Sequence, residues 1–122
     1  MVVYVAGIYS TGTNSPRVRL RRLQYLSTVC REVAKMGVLV YSPVHDTSWD
    51  ANEKEFPYEF FIYGDLVKMR RMCDAVLFTK GWKKSDGCRI EHIFAKKLGL
   101  PVFYSLGGLQ RALHRAKPSK GT

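Results

Sequence analysis

Glu91 is the residue of this 122-residue chain whose type and position most clearly suggest chemistry. It lies early in a segment with helical spacing, Cys88 to Leu98, which follows a short apolar run, Ala75 to Thr79, and a polar loop, Lys80 to Gly87. In parallel sheets, ligands bind where the carboxyl ends of the strands meet the following helices. A carboxylate in the first turn of such a helix stays ionised and can stabilise positive charge on a substrate or bond to it. The alternative is an ordinary first-turn glutamate with no role beyond the helix.

The segment around Glu91 is predicted to be an amphipathic helix within a βαβ unit. Its apolar residues fall on one side, and Gly99 is placed to end the helix. A further strand, Leu100 to Tyr104, follows directly. The residues predicted to form the buried side are Ile90, Phe94, Ala95 and Leu98.

The rest of the chain repeats this alternation of apolar strands and amphipathic helices. The pattern predicts an α/β domain with a single doubly wound, flavodoxin- or Rossmann-like parallel sheet of about four to five strands. Right-handed crossovers, with helices on both faces, give the strand order 2-1-3-4. The domain is expected to span residues 1–116, with a frayed basic tail at 117–122. The other predicted elements are strands Val2–Ile8 and Val38–Tyr41, helices Pro16–Met36 and Pro57–Met72, and a last short helix after Gly107 and Gly108.

The first helix combines an apolar stripe with a basic start. Arginines crowd its first turns, where they oppose the helix dipole unless an anion binds there. After the second strand, the polar segment Ser42 to Phe56 is too long for a simple connector. Asp74 is expected to cap or orient the start of the third strand. The residues predicted to form the buried stripe of the first helix are Leu20, Leu23, Leu26, Val29, Val33 and Met36.

The strand order reverses between strands 1 and 3, so the loops that follow them, Gly7–Asn14 and Lys80–Gly87, should form one pocket. Hydroxyl and backbone N–H groups at a helix start suit a phosphate. Three of the candidate residues also have a purely structural interpretation: Ser85 as a helix cap, Trp82 as a loop anchor and Arg17 as a solvated helix residue. The candidate substrate-binding residues are Gly7, Ser10, Asn14, Arg17, Gly81, Trp82, Ser85 and Gly87.

The charge balance is strongly basic, with 20 Lys and Arg against 10 Asp and Glu, a net charge of +10. Such a charge attracts an anionic ligand or a nucleic acid, and it also occurs on a plain solvated surface. The basic residues are spread along the chain without a nucleic-acid-binding signature, so a nucleic-acid partner is not expected. The apolar start, Met1 to Ile8, lacks a basic leader and is too short to span a membrane, so no membrane partner is expected either.

The three cysteines are odd in number and form no C-x-x-C pair. They therefore indicate neither a disulfide framework nor a zinc site, and reduced thiols fit a cytoplasmic protein best. The three histidines are scattered, so no metal and no cofactor is expected. One thiol, Cys88, lies at the predicted start of the Glu91 helix, where its pKa could be lowered.

Three motifs, taken in order, indicate a family. They are A-G-I-Y-S after the first strand, D-L-x-x-M-x-x-x-C-D before the third, and G-W-x-x-S-x-G-x-x-x-E-x-x-x-A-x-x-L-G-L-P-V after it. Together they resemble the nucleoside 2-deoxyribosyltransferase superfamily, in particular its small deoxyribosyltransferase-like branch and the nucleoside 5′-monophosphate N-glycosidases. The resemblance runs from Val3 to about Leu106 and is weakest between Ser42 and Tyr58.

This resemblance implies cleavage of an N-glycosidic bond through a covalent glycosyl-enzyme intermediate. It places the nucleophile at Glu91, a sugar-holding carboxylate at Asp65 and a phosphate contact at Ser85. The family also has a tyrosine at the end of the first strand, for which Tyr9 is a candidate although it is offset, while Tyr4 is predicted to be buried. It further implies a homodimer or larger homo-oligomer in which a neighbouring chain completes the site.

The function expected from these residues is hydrolysis of a (2-deoxy)nucleoside 5′-monophosphate to a free base and a sugar phosphate. One alternative is a transferase that moves deoxyribose between bases, which needs the same nucleophile but keeps water out. Another is a non-catalytic module that binds a nucleotide in the same crevice. The sequence leaves open which base is recognised and whether the sugar is ribose or 2-deoxyribose.

Overall fold

A computed structural model describes residues 1–46 and 58–116 of the chain. The elements alternate as the sequence predicted, and each strand is shorter than its apolar run. The strands are β1 (Val2–Ala6), β2 (Leu39–Tyr41), β3 (Ala75–Phe78) and β4 (Val102–Phe103). The helices are α1 (Pro16–Lys35), α2 (Pro43–Asp46), α3 (Tyr58–Met72), α4 (Asp86–Leu98) and α5 (Leu106–Ala116), with a 3-10 turn at Trp82–Lys84.

The four strands form one parallel sheet with the order β2-β1-β3-β4, as predicted. In the central pair, Ala6 at the end of β1 is opposite Phe78 at the end of β3. The loops that follow these two strands therefore start side by side. At the other end of the pair, Asp74 ties the strand starts together, because its carboxylate accepts the Val2 N–H at 2.7 Å.

Helices cover both faces of the sheet, and alternate residues of the strands supply two separate cores. Tyr4 and Ala6 of β1 face one side, where α3 and α4 pack. Val3 and Val5 face the other side, where α1 and α5 pack. Because both faces are covered, the central strands are apolar at every position.

The first helix begins at Pro16, as predicted, and Ser15 is its cap. The Ser15 hydroxyl accepts the Val18 N–H at 3.3 Å. Leu26, Val29 and Val33 form the buried part of its apolar stripe. Leu20 was predicted to belong to this stripe, but it is 54% exposed, because the sheet covers only the middle and end of the helix.

The helix that carries Glu91 begins earlier than predicted. Ser85 caps it by accepting the Cys88 N–H, so Asp86 is its first residue and Glu91 lies in the second turn rather than the first. Its buried residues are Gly87, Cys88, Glu91 and Ala95. Ile90 was predicted to be buried but is 40% exposed, because this helix turns its polar Glu91 side toward the sheet.

Three other boundaries differ from the prediction or lie outside the described residues. Gly107 and Gly108 lie inside α5 rather than before it, because Ser105 caps that helix by accepting the Gly108 N–H at 3.0 Å. The predicted loop Ser42–Phe56 contains the short helix α2. The rest of this loop, positions 47–56, lies outside the described residues, as do position 57 and the tail at 117–122. Within the described parts of the chain, no helix has the length and apolar character needed to cross a membrane.

Gly7 is where the loop after β1 approaches α1 and β3 most closely, which gives a prediction about stability. A methyl group on Gly7 would overlap the Leu26 side chain and lie 2.9 Å from the Thr79 hydroxyl. We expect Gly7→Ala to lower the free energy of unfolding by about 1–3 kcal/mol, the usual cost of overpacking. Urea denaturation measures this, with Gly64→Ala as the matched control.

Gly64 lies within α3, and nothing lies within 4 Å of the position that its methyl group would take. The control should therefore raise the free energy of unfolding by about 0.5–1 kcal/mol, because alanine suits a helix interior better than glycine. Equal effects of the two substitutions would contradict the close approach at Gly7.

Candidate active site

A cavity of about 390 Å³ opens at the carboxyl ends of β1 and β3, where the two loops were predicted to meet. This volume is in the range of sites for small molecules. The loop after β1 and the start of α4 form two of its walls, and α2 and α3 form the others. Its lining residues are Gly7, Tyr9, Ser10, Thr11, Gly12, Pro43, Val44, Phe61, Ile62, Asp65, Ser85, Asp86, Gly87, Cys88 and Glu91.

The deepest polar group of this cavity is the Glu91 carboxyl, whose residue is only 5% exposed. The hydroxyl of Tyr4, a fully buried residue of β1, donates a hydrogen bond to Glu91 Oε2. The Tyr4 ring is held in turn by Tyr41 of β2, with ring centroids 5.4 Å apart. The carboxyl is therefore fixed from below by the sheet itself.

Tyr4 is the functional residue that the sequence analysis missed. Tyr9, the candidate for the family's strand-end tyrosine, lines the cavity near its mouth, whereas Tyr4 contacts the proposed nucleophile. The available signal was a tyrosine inside the otherwise apolar strand Val2–Ala6. A buried tyrosine hydroxyl needs a hydrogen-bond partner, so its presence indicated a polar group on that face of the sheet.

Burial raises the pKa of Glu91 to about 8, and the nearby charge of Asp65 adds to this effect. The hydrogen bonds from Tyr4 and Cys88 act in the opposite direction and lower the pKa. The expectation of a first-turn carboxylate kept ionised by the helix dipole is therefore wrong. Desolvation outweighs the dipole because Glu91 lies one turn deeper, and the carboxyl is mostly protonated at pH 7.

The other buried groups around Glu91 are neutral. Burial, followed by the charge of Glu91, raises the pKa of Cys88 to about 12. The expected lowering of this thiol pKa is wrong, because the helix start is buried under the cavity. Burial and the charge of Glu91 also raise the pKa of Tyr4 well above its usual value. Tyr4 therefore remains a hydrogen-bond donor at physiological pH, and Cys88 is not poised to act as a nucleophile.

Asp65 of α3 supplies a second carboxyl to the cavity. The Tyr41 hydroxyl donates to Asp65 Oδ1 at 3.4 Å. The charge of Asp65 raises the pKa values of both Glu91 and Tyr4, so the Asp65 carboxyl is close enough to interact electrostatically with both groups. The structure thus brings together the two acidic residues that the resemblance had paired.

Seven of the predicted site residues line this cavity, and four do not. Those that line it are Gly7, Tyr9, Ser10, Asp65, Ser85, Gly87 and Glu91. Asn14 and Arg17 are exposed around the start of α1, outside the lining. Gly81 adopts a left-handed conformation, with a φ of 83°, just before the 3-10 turn, and Trp82 stacks on His92 with centroids 4.4 Å apart. The predicted substrate contacts of these four residues are therefore not found in the cavity.

Ser85 fits both interpretations that the sequence allowed. Its hydroxyl caps α4 by accepting the Cys88 N–H at 3.3 Å, and the residue also lines the cavity. A hydroxyl can accept one hydrogen bond and still donate another. Ser85 can therefore donate to a ligand oxygen without giving up its role as a cap.

Arg22, one of the arginines near the start of α1, has a structural role. Its guanidinium donates to the carbonyl oxygens of Tyr9 at 3.1 Å and Thr11 at 2.7 Å. It thereby holds the loop after β1 in the conformation that forms the cavity wall. Among the described residues, no lysine or arginine lines the cavity, and they contain no group of three or more His, Cys, Asp or Glu able to hold a metal ion.

A family model described as "Domain of unknown function (DUF4406)" matches residues 1–104. The chain belongs to the DUF4406 family. The match includes every residue that lines the cavity, so the candidate site lies within the part of the chain shared with DUF4406. No curated protein and no solved structure matched the chain.

The raised pKa of Glu91 predicts how stability depends on pH. The folded protein keeps a proton on Glu91 up to about pH 8, whereas the unfolded chain releases it near the ordinary value of 4.5. The stabilisation that the folded protein gains from this proton is complete below pH 4.5. It decreases as pH rises from 4.5 to 8, by up to about 1.4 kcal/mol per pH unit. We therefore expect the stability of Glu91→Gln relative to wild type to increase from pH 5 to about pH 8 and to level off above that.

Urea denaturation at several pH values measures this difference. Glu32→Gln is the control, because Glu32 lies on the surface of α1 and pairs with Lys35 at 3.1 Å. Parallel stability curves for wild type and Glu91→Gln would show that Glu91 is ionised in the folded protein at neutral pH.

Proposed function

We propose that this protein hydrolyses the N-glycosidic bond of a (2-deoxy)nucleoside 5′-monophosphate, releasing a free base and a sugar 5-phosphate. The observation that carries the proposal is the buried carboxyl of Glu91, held by the Tyr4 hydroxyl in a cavity that also contains Asp65. The sequence resemblance to the nucleoside 2-deoxyribosyltransferase superfamily supports the same assignment.

The chemistry requires a carboxylate next to the anomeric carbon. As the bond to the base lengthens, positive charge develops on the sugar ring, and an adjacent carboxylate stabilises that charge. Glu91 then bonds to the anomeric carbon, and the base leaves with the electron pair of the broken bond and takes up a proton from the solvent. Water next attacks the anomeric carbon, and the bond to Glu91 breaks with its electron pair returning to the carboxylate. The oxygen of the water stays on the sugar as a hydroxyl, and its other proton returns to the solvent.

Tyr4 and Asp65 have separate roles in this scheme. The Tyr4 hydroxyl fixes the orientation of Glu91 and stabilises its ionised form. Asp65 faces the same cavity and accepts hydrogen bonds from the sugar hydroxyls. The burial that raises the pKa of Glu91 also keeps water away, so the developing positive charge and the carboxylate attract each other strongly.

One observation favours a second candidate, the transfer of deoxyribose between bases on unphosphorylated nucleosides. In the part of the chain that the structure describes, the cavity lining contains Asp65, Asp86 and Glu91 but no lysine or arginine. A phosphate bound here would depend on neutral donors, namely hydroxyls and the N–H groups at the start of α4. A nucleoside without the phosphate needs no such donors.

A single assay separates these candidates. The protein is incubated with nucleosides and with nucleoside 5′-monophosphates, with and without a second free base, and the products are separated by chromatography. Our proposal predicts free base and sugar phosphate from a monophosphate. A new nucleoside, formed only when a second base is present, would show a transferase, and binding without any product would show a non-catalytic module.

The cellular setting and assembly belong to the same proposal. The three cysteines, Cys30, Cys73 and Cys88, are all free thiols, which suits a cytoplasmic protein. The resemblance further suggests a homodimer or larger homo-oligomer.

Glu91→Gln should lower kcat/KM for base release by several orders of magnitude, because the amide cannot form the glycosyl intermediate. For the wild type, kcat/KM should rise with pH and level off above about pH 8, since only the ionised carboxyl of Glu91 is a nucleophile. A kcat/KM that instead falls as pH rises through 8 would make Glu91 the proton donor to the base rather than the nucleophile.

Ser85→Ala tests whether the Ser85 hydroxyl binds a 5′-phosphate on the substrate. Loss of one charge-assisted hydrogen bond of about 1.5–3 kcal/mol should lower kcat/KM for the monophosphate roughly ten- to a hundredfold, and hardly change any activity on the nucleoside. Ser105→Ala is the matched control, because it removes the cap of α5 without touching the cavity. Equal losses on both substrates would place the phosphate elsewhere.

A further inference from the structure

Within residues 1–46 and 58–116, no lysine or arginine lines the cavity of the candidate active site, so the positive charge of these residues lies on other surfaces. A large part of that charge lies between positions 80 and 97, around the 3-10 turn and α4. Asp86 is the only exposed acidic residue of this stretch, and Arg89 pairs with it. The exposed basic residues of the stretch are Lys80, Lys83, Lys84, Arg89, Lys96 and Lys97.

These charges surround a group of aromatic rings, which we call the aromatic face: Trp82, His92 and Tyr104, packed on Phe78. The Trp82 ring stacks on His92 at 4.4 Å and on Tyr104 at 5.9 Å, with interplanar angles of 30° and 25°. The Tyr104 hydroxyl lies 2.8 Å from His92 Nε2, and Tyr104 is 50% exposed. Near-parallel rings with an exposed member are the arrangement on which a nucleobase can stack.

One lysine, Lys83, lies against the aromatic face. The ammonium group of Lys83 is 5.9 Å from the centre of the Trp82 ring. Burial, and then the charges of Lys96 and Lys83, lower the pKa of His92, so its ring is neutral and available for stacking. The face therefore combines flat apolar surface with positive charge within reach of a neighbouring phosphate.

We propose that the aromatic face binds single-stranded nucleic acid, with bases stacked on its rings and phosphates on the surrounding lysines. Unpaired bases are required, because the bases of a duplex already stack on one another. A second copy of this chain is the weaker candidate, since a symmetric contact would bring the same positive charges together. This face could not be recognised in the sequence, because Trp82, His92 and Tyr104 lie in separate segments of the chain that meet only in the fold.

This inference does not depend on the proposed enzymatic function. The Glu91 side chain is buried in the cavity, whereas no ring of the aromatic face lines that cavity. Loss of nucleic-acid binding and loss of base release are therefore separate outcomes, measured on separate variants.

Trp82 provides the direct readout. The chain has two tryptophans, so Trp49→Phe leaves Trp82 as the only one. This protein is titrated with a thymidine oligonucleotide about 20 nucleotides long while tryptophan emission and the polarisation of a labelled oligonucleotide are followed. We expect quenching of Trp82 on binding, and weaker binding of a duplex of the same length.

Two sets of variants test the two parts of the proposal. Tyr104→Leu should weaken binding roughly ten- to a hundredfold, the usual effect of losing one stacking partner. Lys83→Ala/Lys96→Ala should lower the slope of log affinity against log salt by about 1.4, because about 0.7 is lost for each phosphate contact to a single strand. Arg70→Ala/Arg71→Ala is the matched control, since it removes two exposed charges from the end of α3.

The proposal is overturned if Trp82 is not quenched, if the duplex binds as tightly as the single strand, or if the lysine and arginine pairs have equal effects. The lysine variants keep the test decisive even if Tyr104→Leu fails to fold, because both lysines are exposed. Light scattering completes the test. Self-association that is lost in Tyr104→Leu and strengthened by Lys83→Ala/Lys96→Ala, without oligonucleotide binding, would assign the aromatic face to a second copy instead.

Discussion

The burial of one carboxyl, Glu91, against the hydroxyl of Tyr4 is the interaction on which the candidate site depends. A carboxyl in a water-poor cavity loses hydration, and the loss is tolerable only if the group is hydrogen-bonded or neutral. Glu91 meets both conditions, because Tyr4 donates a hydrogen bond to it and burial keeps its carboxyl protonated up to about pH 8. A glutamate in this position costs stability, and strongly shifted pKa values of this kind cluster at functional sites.

The sheet topology provides the conditions for this interaction. Tyr4 lies on the central strand β1 and is fully buried, so its ring cannot move away from the site. The order β2-β1-β3-β4 places the ends of β1 and β3 together and leaves a crevice above them. The walls of that crevice are held by short polar contacts, such as the Thr79 hydroxyl donating to the Ala6 carbonyl at 3.0 Å. The site is therefore a consequence of strand order and not of the loops alone.

Much of this architecture could be predicted from the sequence, because hydrophobic periodicity and helix caps are local signals. The strand order, both covered faces and the neighbouring loops at the ends of β1 and β3 followed from them. Glu91 and Ser85 were indicated by their positions at the start of a predicted helix, and Asp65 by the family resemblance; all three line the cavity. Boundaries were less predictable: Ser85 begins α4 earlier than expected, which moves Glu91 from the first turn to the second.

What the sequence could not predict depends on contacts between distant residues. Tyr4 and Glu91 are 87 positions apart, and only the fold shows that one donates to the other. The ionisation of Glu91 was predicted in the wrong direction, because the helix dipole is visible in the sequence whereas desolvation by the surrounding walls is not. For the same reason Trp82 was assigned to the pocket, although its ring packs against His92 and Tyr104 outside it.

The most direct test of the central claim is mass spectrometry of the intact protein after incubation with a 2-fluoro-substituted nucleoside 5′-monophosphate. The fluorine slows the release of a glycosyl intermediate more than its formation, so the intermediate accumulates. Our account predicts that the protein gains the mass of one fluorinated sugar phosphate, and that peptide mapping places it on Glu91. Base release without any adduct, or an adduct on another residue, would contradict the claim that Glu91 is the nucleophile.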